Sequence, residues 1–238
     1  MPYFLSDKNL SLNQETEVSG EEARHILFAQ RIKKGEKIKL QGPDGKRFLS
    51  EVVSADKKSL KILPVESLPT PQEPKVKITL FQSVVSEKAL DFIFQKGTEL
   101  GLNKVVLFNS KNTATKLSAD GFKKKQERWN KILMESAKQC ERVKWPELEF
   151  VNLIEGVLSK AKSCDKILLM DIIGERHLAL STNNLALGLI VGPEGGFTEE
   201  EIKTFKTLAN LQAISLGLTL LRAETAALAG IATINTCL

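Results

Sequence analysis

The sequence predicts an α/β protein in two parts: a small β-rich unit over residues 1–72, then an open parallel sheet with helices on both faces over residues 73–238. Three observations lead there. From Val76 onward, apolar strand-like runs alternate with helical ones. Before that point, short alternating runs are joined by hairpin-type turn signals. Between the two, Pro64, Pro69, Pro71 and Pro74 punctuate a stretch that reads as a linker.

In the first part, Ser19-Gly20-Glu21-Glu22 has capping-box spacing, and Ala23 to Gln30 continues it as a short helix. Lys37 to Leu40 alternates as a strand, Gly42-Pro43-Asp44-Gly45 is a strong turn, and Arg47 to Val53 resumes a strand. Leu60 to Leu63 adds another. Strands, hairpins and one helix suggest a small barrel.

In the second part, Val76 to Phe81 and Val105 to Phe108 read as strands. Ser86 caps a helix that runs to Leu100 and ends at Gly101. Gly121 to Arg142 is a long basic helix. Lys166 to Met170, Ala186 to Val191 and Ala213 to Leu216 are further strands. Thr198-Glu199-Glu200-Glu201 is a second capping box, and Leu220 to Thr236 is an Ala-rich helix apolar on most sides, expected to be largely buried.

Composition narrows the class. Of 238 residues, 42% are hydrophobic, enough for a sizeable core. The apolar run Leu185 to Val191 is far too short to span a bilayer, and residues 1–8 lack the basic-then-apolar order of an export signal. Cys140, Cys164 and Cys237 are odd in number and widely spaced, so neither a zinc site nor a disulfide framework is expected. With only His25 and His177 to help, no metal is expected, and a reducing cytoplasm is the default. The net charge of +5 is uneven: residues 103–146 carry 11 Lys/Arg against 4 Asp/Glu, whereas residues 147–238 carry 7 against 11. A localised basic face suggests a polyanion partner, although a solvated lysine-rich helix would look the same.

Two stretches carry the chemistry. Val191-Gly192-Pro193-Glu194-Gly195-Gly196-Phe197-Thr198 and Leu216-Gly217-Leu218-Thr219-Leu220-Leu221-Arg222-Ala223-Glu224-Thr225-Ala226 each run from an apolar strand through a loop into a helix. Two such breaks put backbone-lined loops at the ends of two strands, where a parallel sheet binds a small polar ligand. The first loop is neither a phosphate loop nor a dinucleotide fingerprint, because the Lys-Ser/Thr pair and the GxGxxG spacing are both absent. Standing alone it would read equally well as a tight turn. Arg222 is more telling. It lies near the start of an apolar helix, where the dipole disfavours a cation, so it needs an anion, a carbonyl or a ligand. Serine-triad chemistry has no support, since no GxSxG elbow exists. Capping explains Glu199 to Glu201 better than acid–base work does.

These residues resemble the RsmE-type 16S rRNA (uracil-N3)-methyltransferases of the SPOUT superfamily. The resemblance extends to His25-Ile26-Leu27 with Arg31 and Lys34-Gly35-Glu36, to Gln95-Lys96-Gly97-Thr98-Glu99-Leu100-Gly101, and to Arg128-Trp129, Glu135-Ser136-Ala137, Gln139, Arg142 and Pro146 in that order. It implies a PUA-like β-barrel, a SPOUT-type sheet with a C-terminal trefoil knot, a homodimer, S-adenosylmethionine as methyl donor, and a uridine N3 of small-subunit rRNA as target. On that basis Leu169, Met170, Gly192, Gly196, Leu216, Gly217 and Leu221 are expected around the cofactor. Arg222, with Glu224 and Glu194 as weaker candidates, is expected at the chemistry, and Arg24, Arg31, Lys96 and Arg142 on the RNA. The rival expectations are a non-catalytic rRNA-binding assembly factor of the same fold and an enzyme methylating tRNA ribose.

Overall fold

The computed structural model describes residues 3–29, 31–56, 58–175 and 186–236. It divides into two compact units, Met1–Glu73 with Ala137–Lys144, and Pro74–Ser136 with Trp145–Leu238. The sequence places one boundary, after residue 72. The units divide the chain after Glu73 and twice more, at either end of the segment 137–144.

The first unit holds β1 (Phe4–Leu5), β2 (Thr16–Ser19), α1 (Gly20–Arg24), β3 (Lys37–Gln41), β4 (Arg47–Ala55) and β5 (Ser59–Leu68). The strands form one sheet in the order β1-β3-β4-β5-β2, antiparallel except for β1 against β3. Period-two alternation turns Ile38, Leu40, Val52, Leu60 and Ile62 into a common core with Phe4, Val18 and Ile26. The expected turn is present: Gly45 donates to the Gly42 carbonyl at 3.0 Å with a φ of 80°.

Two local expectations change. Ser19 makes no side-chain capping bond, and the Glu22 carboxylate, rather than reaching back to the Ser19 N–H, accepts from the Leu5 N–H at 2.8 Å and holds β1. The helix expected to continue through Ala23–Gln30 is α-helical only to Arg24 and becomes a π-helical turn over His25–Ala29.

The segment 137–144 completes this unit. Lys138, 4% exposed, pairs with both Glu22 oxygens at 2.9 and 3.1 Å. The Arg47 guanidinium donates to the Glu141 and Arg142 carbonyls at 2.9 and 3.1 Å and stacks 4.0 Å over the Tyr3 ring. The Tyr3 hydroxyl donates to the Arg142 carbonyl as well.

The second unit holds β6 (Lys77–Ser83), α2 (Glu87–Glu99), β7 (Leu102–Phe108), most of α3 (Ala119–Gln139), β8 (Glu147–Val151), α4 (Ile154–Ala161), β9 (Lys166–Glu175), β10 (Ala186–Val191), α5 (Glu199–Phe205), β11 (Leu211–Ile214) and α6 (Ala223–Thr236). Its six strands are all parallel, in the order β11-β9-β10-β6-β7-β8. Both faces are covered, so strand residues of both parities are buried. Leu80, Leu107, Leu168 and Leu189 face α2, α3 and α6 through Ile93, Phe94, Trp129, Leu133 and Ile231. Phe81, Val106, Leu169 and Ile190 face α4 and α5 through Val157, Ala161 and Phe205.

The helix start signals hold here. Ser86 accepts from the Ala89 N–H, and Thr198 and Glu201 close a reciprocal capping box. β8 and α4 had no sequence signal strong enough to be expected. The last helix starts at Ala223 rather than Leu220. It buries one side, through Ala227, Gly230, Ile231 and Ile234, and leaves Leu228, Ala229 and Ala232 half-buried. Gly230 brings it close to the sheet: a Cβ there would lie 2.7 Å from Leu189 Cδ2.

Candidate functional site

A cavity of about 380 Å³ opens beyond the C-terminal ends of β10 and β11 and against the middle of β9. In a parallel sheet that end gathers the loops that bind ligands. Three segments line it: Leu169-Met170-Asp171 at β9, Val191 to Glu194 with Gly196 and Phe197 after β10, and Ser215 to Gly217 with Thr219 to Ala223 after β11.

The loop after β10 is rigidly built. Its Gly196 N–H donates to the Pro193 carbonyl at 2.9 Å, with a φ of 67° that favours glycine. Phe197 folds back against Gly192, where a Cβ would lie 3.2 Å from its ring, and packs on Phe205 and Phe108 at centroid distances of 5.0 and 6.2 Å. From the loop between β7 and α3, Asn112 donates to the Gly195 and Gly196 carbonyls, both at 3.1 Å. That second loop is itself anchored on α5: the Lys111 N–H donates to buried Glu201 at 2.7 Å, and Lys111 pairs with Glu200. Asn112 and Glu201 were not among the expected site residues. Glu201 carries a readable capping signal, but nothing in the sequence links Asn112 to a loop some eighty positions away.

The loop after β11 is open. Gly217 has a φ of 149° and accepts a bond from the Ser215 hydroxyl at 3.1 Å. Leu218 and Leu220 are 82% and 78% exposed. Arg222 immediately precedes α6 and its carbonyl accepts from the Ala226 N–H at 2.8 Å. Its side chain is exposed at the cavity, and among the described residues no carboxylate pairs with it. Among the described residues, the cation that the helix dipole disfavours there therefore has no counter-charge.

The structure brings together Leu169, Met170, Gly192, Gly196, Leu216, Gly217, Leu221, Glu194 and Arg222. Glu224, on the first turn of α6, does not line the cavity. The residues expected on RNA are divided between the two units. Arg24 and Arg31 are exposed in the first unit. Lys96 is tied to Glu99 at 2.8 Å on α2. Arg142 is 9% exposed, and its Nε and Nη2 donate to Glu73 at 3.1 and 2.9 Å within the first unit. His177 and Cys237 lie outside the described residues.

A family model described as an RNA methyltransferase domain matches residues 71–235. The chain belongs to this RNA methyltransferase family. The methyltransferase domain so matched includes all three cavity segments. Its relatives bear out the resemblance in the motifs. Ribosomal RNA small subunit methyltransferase E of Mesomycoplasma hyopneumoniae is 34% identical over 164 residues, covering 69% of this chain and 71% of that protein. The protein of the same name from Bacillus subtilis is 29% identical over 227 residues, covering 92% and 88%. Among solved structures, ribosomal RNA small subunit methyltransferase E from Neisseria gonorrhoeae bound to S-adenosyl methionine is 29% identical. It matches with a TM-score of 0.87, covering all of this chain and 98% of that one.

Proposed function

We propose that this methyltransferase transfers a methyl group from S-adenosylmethionine to N3 of a uridine in 16S rRNA, acting as a cytoplasmic homodimer on the small ribosomal subunit. The observation that carries the reading is Arg222, which no carboxylate among the described residues pairs with, at the edge of a cavity built from two strand-end loops and the middle of β9.

The residues present fit the cofactor. Gly196 and Gly217 adopt positive φ while a Cβ at either would meet only open space, so both serve backbone shape rather than packing. Bare backbone can thus present amides and carbonyls to the edge of a purine. Met170, Leu216 and Leu221 supply apolar surface for its faces, and Leu169, itself buried, lies at the cavity wall. When bound, S-adenosylmethionine supplies a methyl group made electrophilic by its sulfonium. The remaining work falls to the chain. Uracil N3 must lose its proton before it can act as a nucleophile, and negative charge then grows on the flanking O2 and O4. Arg222 stabilises that charge, an effect worth about 3–4 kcal/mol for one well-aimed donor. Glu194, exposed at the same cavity, is placed to receive the proton or to hold Arg222. Fixing the uridine in line with the methyl supplies much of the rest.

Three finer elements belong to the same proposal. The register of β11 on β9 jumps from Ala213↔Leu169 to Ile214↔Glu175, and a Cβ on Gly174 would lie 2.5 Å from the Ile214 backbone; this close passage supports a knotted crossing. The five-stranded sheet of the first unit supports a PUA-like barrel. Exposed Leu218 and Leu220, with half-buried Leu228 on α6, support a homodimer interface.

Arg222→Ala tests the reading. Methylation of small-subunit RNA, followed by mass spectrometry of N3-methyluridine, should fall about 10²–10³-fold. Cofactor affinity and oligomeric state should stay within about threefold of the parent. Parental turnover would overturn the assignment, as would methyl groups found on ribose oxygen.

A further inference from the structure

The first unit presents one aromatic ring to solvent inside a cationic strip. Phe4 and Phe48 are 2% and 6% exposed, whereas Phe28 is 65% exposed. The π-helical turn His25–Ala29 sets this outcome. An extra residue per turn changes which side chains face inward. Ile26 enters the core, His25 packs edge-on against Phe4 at 5.7 Å, and Phe28 points out.

The surroundings are charged with one sign. Residues 24–39 carry six Lys/Arg against one Asp/Glu, a net of +5, equal to that of the whole chain. The single acid, Glu36, accepts from the Lys33 N–H at 2.8 Å, and Lys39 pairs with Glu141 at 3.6 Å. Among the described residues, Arg24, Arg31, Lys33, Lys34 and Lys37 have no carboxylate in ion-pair range. Arg24 lies four positions before Phe28, the spacing that puts side chains on one side of a helix. Arg31 follows in a left-handed conformation with φ 54°, uncommon for a side-chain-bearing residue and concentrated at functional segments.

We infer that Phe28 is a base-stacking residue: an unpaired RNA base lies on its ring while Arg24 and Arg31 hold the flanking phosphates. This rests on the RNA-methyltransferase reading and adds a second RNA contact to it, outside the cofactor cavity. The pairing of ring and cations selects the occupant. An aromatic face accepts any unstacked base, and the cations neutralise the backbone on either side. A duplex offers no free base face. A protein partner with an apolar anchor would have to bury five uncompensated cations.

The test uses the full chain and two decameric probes, oligouridylate and the matching abasic ribose-phosphate strand. The parent should bind oligouridylate more tightly than the abasic strand. Phe28→Ala should lose about 5- to 150-fold on oligouridylate, the range for removal of one stacked aromatic, with little change on the abasic strand and an unchanged salt slope. Phe28→Tyr should restore binding, and Arg31→Ala should weaken both probes and flatten the salt slope. Equal binding of both probes by parent and Phe28→Ala would overturn the inference. So would a Phe28→Ala defect confined to phosphatidylglycerol vesicles. Methylation of small-subunit RNA by the parent, measured separately, keeps failure of this contact distinct from failure of the enzymatic reading.

Discussion

Asn112 braces the loop after β10 without belonging to it, which makes its amide a clean place to perturb the cofactor cavity. Asn112→Ala removes two hydrogen bonds of 3.1 Å, to the Gly195 and Gly196 carbonyls. It keeps the Asn112 Cβ, which packs against Gly195. Net hydrogen bonds contribute about 0.5–1.5 kcal/mol, and these are exposed, so about 0.7 kcal/mol each is appropriate. Together they contribute about 1.4 kcal/mol, a factor of about ten in the population of the ordered loop. If ligand binds only the ordered loop, the Kd for S-adenosylmethionine should rise by up to about tenfold in calorimetry. Asn112→Asp should be worse, because a carboxylate has no donor and faces two carbonyls. Both variants should unfold near the parent temperature, since the side chain lies on the surface. A Kd within twofold of the parent for Asn112→Ala, with the Asp variant no worse, would refute the bracing role.

Two stability predictions follow from buried contacts. Glu73→Ala removes the carboxylate bonded to Arg142 and the acceptor of the Val143 and Lys144 N–H groups, so urea unfolding should show a loss of about 3 kcal/mol at neutral pH. Burial raises the Glu73 pKa, but hydrogen bonds from Lys144 and Arg142, the Arg142 charge and the Val143 bond outweigh it and leave the carboxyl below its ordinary 4.5. The contribution is therefore complete above about pH 4.5 and lost as pH falls through the lower folded value. The gap between parent and variant should narrow in acid, and a constant gap down to pH 3 would count against the ion pair. Gly230→Ala gains about 1 kcal/mol of helix propensity but places a methyl 2.7 Å from wholly buried Leu189. Overpacking of about 1–3 kcal/mol should win, lowering the melting temperature, and a rise would show that Leu189 yields.

The cavity was legible because its ingredients are local. Glycine and proline breaks after apolar runs mark strand ends, and parallel strands put all such ends on one side. That is why Gly192, Gly196, Gly217 and Arg222 meet although two elements, α5 and β11, separate the first from the last. Contacts set by tertiary packing left no local trace. Arg142 reads as a surface cation of a basic helix. It is buried because the chain turns after Gln139 into the first unit, where Glu73 waits. Ser19 and Glu22 have the spacing of a cap, yet β1 and Lys138 compete for the same carboxylate and win. The π-helical turn likewise reflects the demand that Ile26 be buried, which helical periodicity alone does not encode.

The segment 137–144 bears on how this polypeptide can be cut and recombined. A fragment ending in the proline-rich stretch would carry the five strands but not the eight residues that seal them. The Arg47 guanidinium, only 4% exposed in the intact chain, would lose two of its acceptors, and Glu22 would lose its lysine. The N-terminal part is therefore not a cassette that can be lifted out at a linker. Any chimera with a relative must transplant the mid-chain octet along with it, and a protease nick near residue 140 should loosen a unit whose first strand lies more than a hundred positions away.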